Sequence, residues 1–178
     1  AFIDIRGIFR GIDICSDVPS GYEAQLRAAA YRAAGELLSV GYSGPAGIDA
    51  FSYRDGDSAS FNPICEINAR LTMGEIARSM RRTLGGACGR TLLVVTGGAE
   101  LPSDMAELSR VFGSDEWDAR SGKGIFPATP VRIERSGKAL TAKRFLVYIA
   151  GESHEECGVY ESRMREALAR LRPSRRTV

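Results

Sequence analysis

Gly47-Ile48-Asp49-Ala50-Phe51-Ser52-Tyr53 and Phe61-Asn62-Pro63-Ile64-Cys65-Glu66-Ile67-Asn68-Ala69 are two short runs rich in β-formers, separated by the polar stretch 54–60. They read as two strands joined by a turn. Because side chains alternate along a strand, Glu66 and Asn68 share one face, about 7 Å apart. Asp49 lies on the neighbouring strand. A two-residue turn at Asp55-Gly56 would set Asp49 opposite Asn62. A turn widened toward Asp57 and Ser58, within Gly56-Asp57-Ser58-Ala59-Ser60, would bring it opposite Glu66, and the wider turn is expected.

Outward from this pair, helices and strands mix without a regular alternation, which marks an α+β fold with a mainly antiparallel sheet flanked by helices. Residues 2–15 carry Phe2, Ile3, Ile5, Ile8, Phe9, Ile12 and Ile14 and predict one or two strands. Ser20-Gly21-Tyr22-Glu23 has capping-box spacing, so a helix is expected over 22–40, with Leu26, Ala30, Ala33, Leu37 and Val40 inward and Gly41 as its stop. A second helix is expected from Gly74 to Leu84, ended by Gly85-Gly86. Beyond it come a strand over 91–96, a short helix capped by Ser103, and a loop over 113–124. Strands over 125–134 and 143–150 are expected, joined by a Ser136-Gly137 turn, with Pro127 and Pro130 limiting the first. Ser153-His154-Glu155-Glu156 opens a last helix with Val159, Tyr160, Met164, Leu168 and Leu171 inward. The basic end from Arg172 reads as frayed.

The bulk composition narrows the function classes. The 178 residues are 44% hydrophobic and 26% charged, enough for an ordinary globular core. A net charge of +2 gives no electrostatic reason for a nucleic-acid or membrane partner. Four cysteines without a C-x-x-C pair, and one histidine, suggest neither a zinc site nor a disulfide framework, and reduced thiols in the cytoplasm are expected. No apolar run has the length of a membrane span.

The chemistry concentrates on the two opening strands. Two carboxylates, Asp49 and Glu66, with the carboxamide of Asn68 form a hard oxygen-donor set. Magnesium takes such donors, usually one or two protein carboxylates beside nucleotide phosphates. Arg70 follows on the same parity as a fork for phosphate or an oxyanion. Thr72-Met73-Gly74 opens a helix whose free N–H groups favour anions. The three elements converge on a polyphosphate.

Glu66-Ile67-Asn68-Ala69-Arg70, together with Gly47-Ile48-Asp49, resembles the closing signature of the ATP-grasp ligases. The lead-in Gly41-Tyr42-Ser43-Gly44-Pro45-Ala46-Gly47 is similar to a subgroup of amide-forming or uncharacterised ATP-grasp proteins, and the likeness spans about residues 22–78. The resemblance implies that Asp49 ligates one Mg²⁺, Glu66 bridges two, and Asn68 completes the second site, with Mn²⁺ as a substitute. It implies that Glu66, Asn68, Arg70 and Thr72 meet ATP and that Arg70 serves the acyl-phosphate step. It further implies a ligase that activates a small-molecule or peptide carboxylate with ATP and joins it to an amine.

On this reading residues 1–85 are the C-terminal ATP-grasp lobe and 86–178 an α+β extension. The partner lobe lies upstream of Ala1, so the chain is a fragment with little activity alone. Oligomeric state and the acid and amine joined stay open. The rival reading is a non-catalytic α+β binding module, or a degenerate relative, whose polar strand face is an interaction surface. Arg6 and Arg10 are candidate phosphate or substrate contacts. Asp55 and Asp57 read as a solvated turn, Cys65 as a core thiol, His154 as a surface residue, and Arg78, Arg81 and Arg82 as a solvated face. Gly122–Pro127 is either a substrate loop or a turn.

Overall fold

Apolar, β-forming runs at the start of the chain and from Cys88 onward build a five-stranded antiparallel sheet. The computed structural model describes residues 1–15, 21–95, 101–102 and 104–171. Its strands are β1 (Phe2–Ile3), β2 (Phe9–Ile14), β3 (Gly47–Asp55), β4 (Ser58–Asn68), β5 (Cys88–Val95), β6 (Gly124–Pro127), β7 (Arg132–Arg135), β8 (Lys138–Thr141) and β9 (Arg144–Gly151). Its helices are α1 (Glu23–Ser39), α2 (Met73–Leu84), α3 (Met105–Arg110) and α4 (His154–Arg170). The class is α+β, with the main sheet ordered β1-β2-β5-β9-β6 and separate hairpins β3-β4 and β7-β8.

By contacts the chain divides into two units. One joins Ala1–Cys15 to Ala77–Val178, and the other is the continuous segment Ser16–Ile76. In the first, β9 is buried on both faces. Phe145, Val147 and Ile149 enter the cluster that holds Met164, Leu168 and Cys157 of α4, while Leu146, Tyr148 and Ala150 are buried on the opposite side. Each fully buried aliphatic or aromatic side chain of this kind contributes about 1.5–3 kcal/mol, so this strand anchors the unit. Leu108 of α3 and Phe112 extend the same core. Tyr148 donates from its hydroxyl to the Gly85 carbonyl at 2.9 Å, and Trp117 donates from its indole to the Leu84 carbonyl at 3.0 Å.

In the second unit, α1 packs on β4, and Tyr22 stacks on Phe61 with ring centroids 4.4 Å apart. Ala29 and Ala33 are the buried positions of α1, with Leu26 and Leu37 half-buried. Ala30 and Val40, expected inward, are exposed, because the contact stripe runs 26, 29, 33, 37. The helix ends at Gly41, as expected. The Ser20 and Ser103 caps expected from sequence, the strand end at Thr96 and the tail from Arg172 lie outside the described residues.

Other differences have local causes. The cap of α3 that is described is Asp104, whose carboxylate accepts from Ala106 N–H at 2.8 Å. The strand expected over 125–134 is two strands, β6 and β7, because Pro127 and Pro130 interrupt the ladder. The Ser136-Gly137 turn therefore joins β7 to an additional strand, β8, rather than to β9. Both turn residues have positive φ, 52° and 72°, the sign pattern of a type I′ hairpin turn. Gly122–Pro127 contributes β6 of the sheet. Ser153 caps α4 as expected, accepting from Glu156 N–H at 3.1 Å, while Glu156 reaches back to Glu152 N–H at 2.6 Å. Val159 is exposed, and Cys157 takes a buried place on that helix. No described helix is long and apolar enough to cross a membrane.

Candidate functional site

The residues singled out by sequence, Asp49, Glu66, Asn68, Arg70 and Thr72, all belong to the Ser16–Ile76 unit. The β3-β4 ladder starts at a two-residue turn: Asp55 pairs with Ser58, and Gly56 takes a φ of 61° that a side chain would resist. The expected wider turn is thus replaced by a tight one. In that register Phe51 faces Asn62, and a one-for-one ladder would continue to Ile64 opposite Asp49.

It does not continue. Between Phe51↔Asn62 and Asp49↔Glu66 the ladder is interrupted, with Ala50 alone facing Pro63, Ile64 and Cys65. Pro63 has no N–H to give to the ladder, and Ile64 N–H turns to the Asn62 side-chain oxygen at 3.2 Å. The bulge advances β4 by two residues, which preserves the facing of every side chain beyond it and shifts the register by about 7 Å. Asp49 therefore stands opposite Glu66, and Gly47 opposite Asn68.

The polar side chains beyond the bulge form a chain. Asn68 Nδ2 donates to Asp49 Oδ2 at a long 3.5 Å, and Arg70 Nη2 donates to Asn68 Oδ1 at 3.0 Å. The Asn68 backbone carbonyl also accepts from Arg70 N–H at 2.8 Å, which holds Arg70 against the strand end. Thr72 caps α2: its hydroxyl accepts from Glu75 N–H at 3.4 Å, and its carbonyl accepts from Ile76 N–H. A Cβ on Gly47 would lie 2.5 Å from the Thr72 methyl, so glycine at 47 lets the helix start approach the strand that carries Asp49.

Asp49, Glu66 and Arg70 are exposed, and Asn68 and Thr72 are half-buried. No group of three or more His, Cys, Asp or Glu side chains among the described residues is placed to hold a metal ion. Two carboxylates and one carboxamide do not make a closed protein cage. They fit a divalent ion that brings its own phosphate and water ligands, which is how Mg²⁺ is usually held. The depression of about 400 Å³ along α4 and that of about 270 Å³ beside Val131 include none of the five residues.

The remaining candidates divide. Cys65 is exposed rather than buried, because it lies in the bulge and α1 reaches the ribbon at Phe61. Arg10 is held by Asp4 at 2.6 Å and 3.0 Å. Arg81 is half-buried and donates to the carbonyls of Gly86 and Ile14, so it is not simply a solvated side chain. His154 is exposed, yet its Nδ1 lies 2.9 Å from Asp13 Oδ2.

That last contact belongs to an ionic cluster in the other unit. Arg90, 6% exposed on β5, binds Asp13 of β2 through Nε and Nη2 at 2.7 and 3.1 Å, and Glu161 of α4 through Nη1 at 2.7 Å. Its guanidinium lies 5.0 Å from the Phe2 ring centroid. Burial opposes its charge, but Asp13 and Glu161 outweigh burial and raise its pKa. Burial likewise pushes Glu161 up, and hydrogen bonds from Arg165 and Arg90 bring it below its ordinary value. The signal in the sequence is a lone Arg within the otherwise uncharged strand Cys88–Val95. No protein-family model matches the chain, and no curated protein matches it in sequence.

Proposed function

We propose that the bulged β3-β4 ribbon binds a magnesium-nucleotide phosphate group, as the C-terminal lobe of an ATP-grasp carboxylate-amine ligase working in the cytoplasm. One observation carries this reading: the bulge at Pro63 sets Asp49 directly opposite Glu66, with Asn68 bonded to Asp49 and Arg70 bonded to Asn68. A regular hairpin would separate the two carboxylates by a two-residue step.

Within this reading, Asp49 and Glu66 supply anionic oxygens for the divalent ion, and Asn68 supplies a neutral one. Bound there, Mg²⁺ with ATP supplies a phosphoryl group and neutralises the charge that develops on its oxygens. Asn68 now turns its oxygen to Arg70 and its amino group to Asp49. A half-turn of the amide would present the oxygen to the ion and withdraw it from Arg70, whose fork would then be free to bind phosphate. Metal capture and the release of Arg70 are coupled through one side chain. The substrates would be a carboxylate and an amine.

The exposure of Asp49, Glu66 and Arg70 favours a second reading, in which the same face is the contact surface of a non-catalytic module. Titration calorimetry with Mg²⁺ and a non-hydrolysable ATP analogue separates the two, comparing the wild type with Glu66→Gln. Metal-dependent binding that disappears in the variant supports the nucleotide reading. Binding that ignores the metal or the substitution, or no binding by the full-length protein, supports the contact-surface reading.

A further inference from the structure

Three of the four cysteines gather in one place. Cys88 and Cys157 are buried members of the core cluster, and Cys15, half-buried, packs against it. The β2-β5 ladder pairs Gly11 with Leu92, Ile12 with Thr91, Asp13 with Arg90 and Ile14 with Gly89. One further step in that register places Cys15 opposite Cys88. Directly opposed residues of an antiparallel pair have Cα atoms about 4.5–5.5 Å apart. Disulfides span Cα separations of about 4.4–6.8 Å. The third thiol is otherwise engaged, since Cys157 Sγ donates to the Cys88 backbone carbonyl at 3.8 Å. Among the described residues the cysteines belong to no three-donor metal group, so ligation does not account for their meeting.

We propose that Cys15 and Cys88 form a reversible cross-strand disulfide when the protein meets an oxidised small-molecule disulfide of the glutathione class. The half-buried Cys15 is the entry point. Its thiolate attacks one sulfur of the oxidant, forming a mixed disulfide and releasing one thiolate. The Cys88 thiol then loses its proton to solvent and attacks the Cys15 sulfur, expelling the second small-molecule thiolate. Two protein thiols are oxidised, one external disulfide is reduced to two thiols, and no other reactant is consumed.

The surroundings fix the tempo. Burial, reinforced by the adjoining Cys88 thiol, pushes Cys15 up to about 12, so the reactive thiolate is scarce at neutral pH. The pair therefore closes slowly, gaining about tenfold in rate for each pH unit well below that value. A high-pKa sulfur is also a poor leaving group, which makes the closed bond slow to reopen.

The test incubates the whole chain with glutathione disulfide at pH 7 and pH 8.5, quenches with acid, and alkylates under denaturing conditions without reduction. Mass spectrometry of the peptides follows. The expected result is a linked Cys15–Cys88 peptide, joint loss of alkylation at these two positions with Cys157 still alkylated, and accumulation more than tenfold faster at pH 8.5. Cys88→Ala is expected to leave Cys15 as the mixed disulfide. Should that variant fail to fold, the wild-type peptide map alone decides. Full alkylation of both cysteines, separate glutathione adducts on each, or linkage of Cys15 to Cys65 or Cys157 would overturn the proposal.

Discussion

Single side chains carry the sharpest consequences. Thr91 is fully buried, and its hydroxyl has no hydrogen-bond partner among the described residues. An unmet buried hydroxyl costs about 1–3 kcal/mol. Thr91→Val keeps the shape and removes the polar atom, so a rise in chemical-denaturation stability of about 1 kcal/mol is expected. A loss of stability would mean that the hydroxyl is satisfied in solution. At the proposed nucleotide face, Arg70 would act on phosphate and not on the ion. Arg70→Ala is therefore expected to weaken binding of the magnesium-bound ATP analogue about tenfold, the loss of roughly one charge-assisted contact, while leaving Mn²⁺ affinity unchanged or slightly raised. Calorimetry with and without nucleotide reads both effects.

Elements show where sequence reading succeeded and where it stopped. Helices α1, α2 and α4 were legible because periodic apolar positions and glycine stops, or for α4 the Ser153 cap, are local signals. The strands carrying Asp49 and Glu66 were legible for the same reason. The expected pairing of Asp49 with Glu66 is found, but by another route. The turn at Gly56 is tight and alone points to Ile64, and the bulge supplies the two-residue shift that a wider turn was expected to supply. The missing information sat in Pro63, whose lack of an N–H makes a bulge inexpensive there. Pro63→Val restores a donor and is expected to shift the cross-strand NOE of Asp49 from Glu66 toward Ile64. An unchanged NOE would assign the register to the Gly47–Thr72 contact instead. Between β2, β5 and α4, the tie is Arg90. Removing one partner of a buried ion cluster costs about 3–5 kcal/mol, so Arg90→Ala is expected to destabilise the protein by that order, leaving Asp13 and Glu161 uncompensated. Thermal melts check it. Sequence patterning could not show this cluster, since its members lie 71 and 77 residues from Arg90.

For the molecule as a whole, the buried titratable groups define a pH window. Burial raises Tyr148 to about 12 and Cys157 to about 11, and burial together with Cys88 takes Cys15 to about 12. Each prefers its protonated form when folded. Their stabilisation is fully present below the unfolded values near 9 to 10 and is lost as pH rises through the folded ones. Glu161 has the opposite sign: its folded pKa is lowered, so its contribution is present above the unfolded carboxylate value and fades as pH falls through the folded one. Urea midpoints are expected to hold between about pH 5 and 9 and to drop on either side. Tyr148→Phe should lower the plateau, by losing the bond to Gly85, and flatten the alkaline fall.

The chain path through the main sheet has its own outcome. Neighbouring strands β2 and β5 are separated in sequence by the whole Ser16–Ile76 unit, so their pairing closes a loop of more than seventy residues. In the chain-entropy picture a covalent link across such a loop is worth about 4 kcal/mol, which is what a Cys15–Cys88 bond would supply. The same path sets an order of events during synthesis. The inserted unit is contiguous and can fold as it leaves the ribosome, whereas β2 emerges early and must wait, with one edge unpaired, until residues beyond 88 arrive. Nascent chains halted shortly before Cys88 are thus expected to bind a chaperone more than chains carried past Gly151, which pull-down of stalled ribosomes would show.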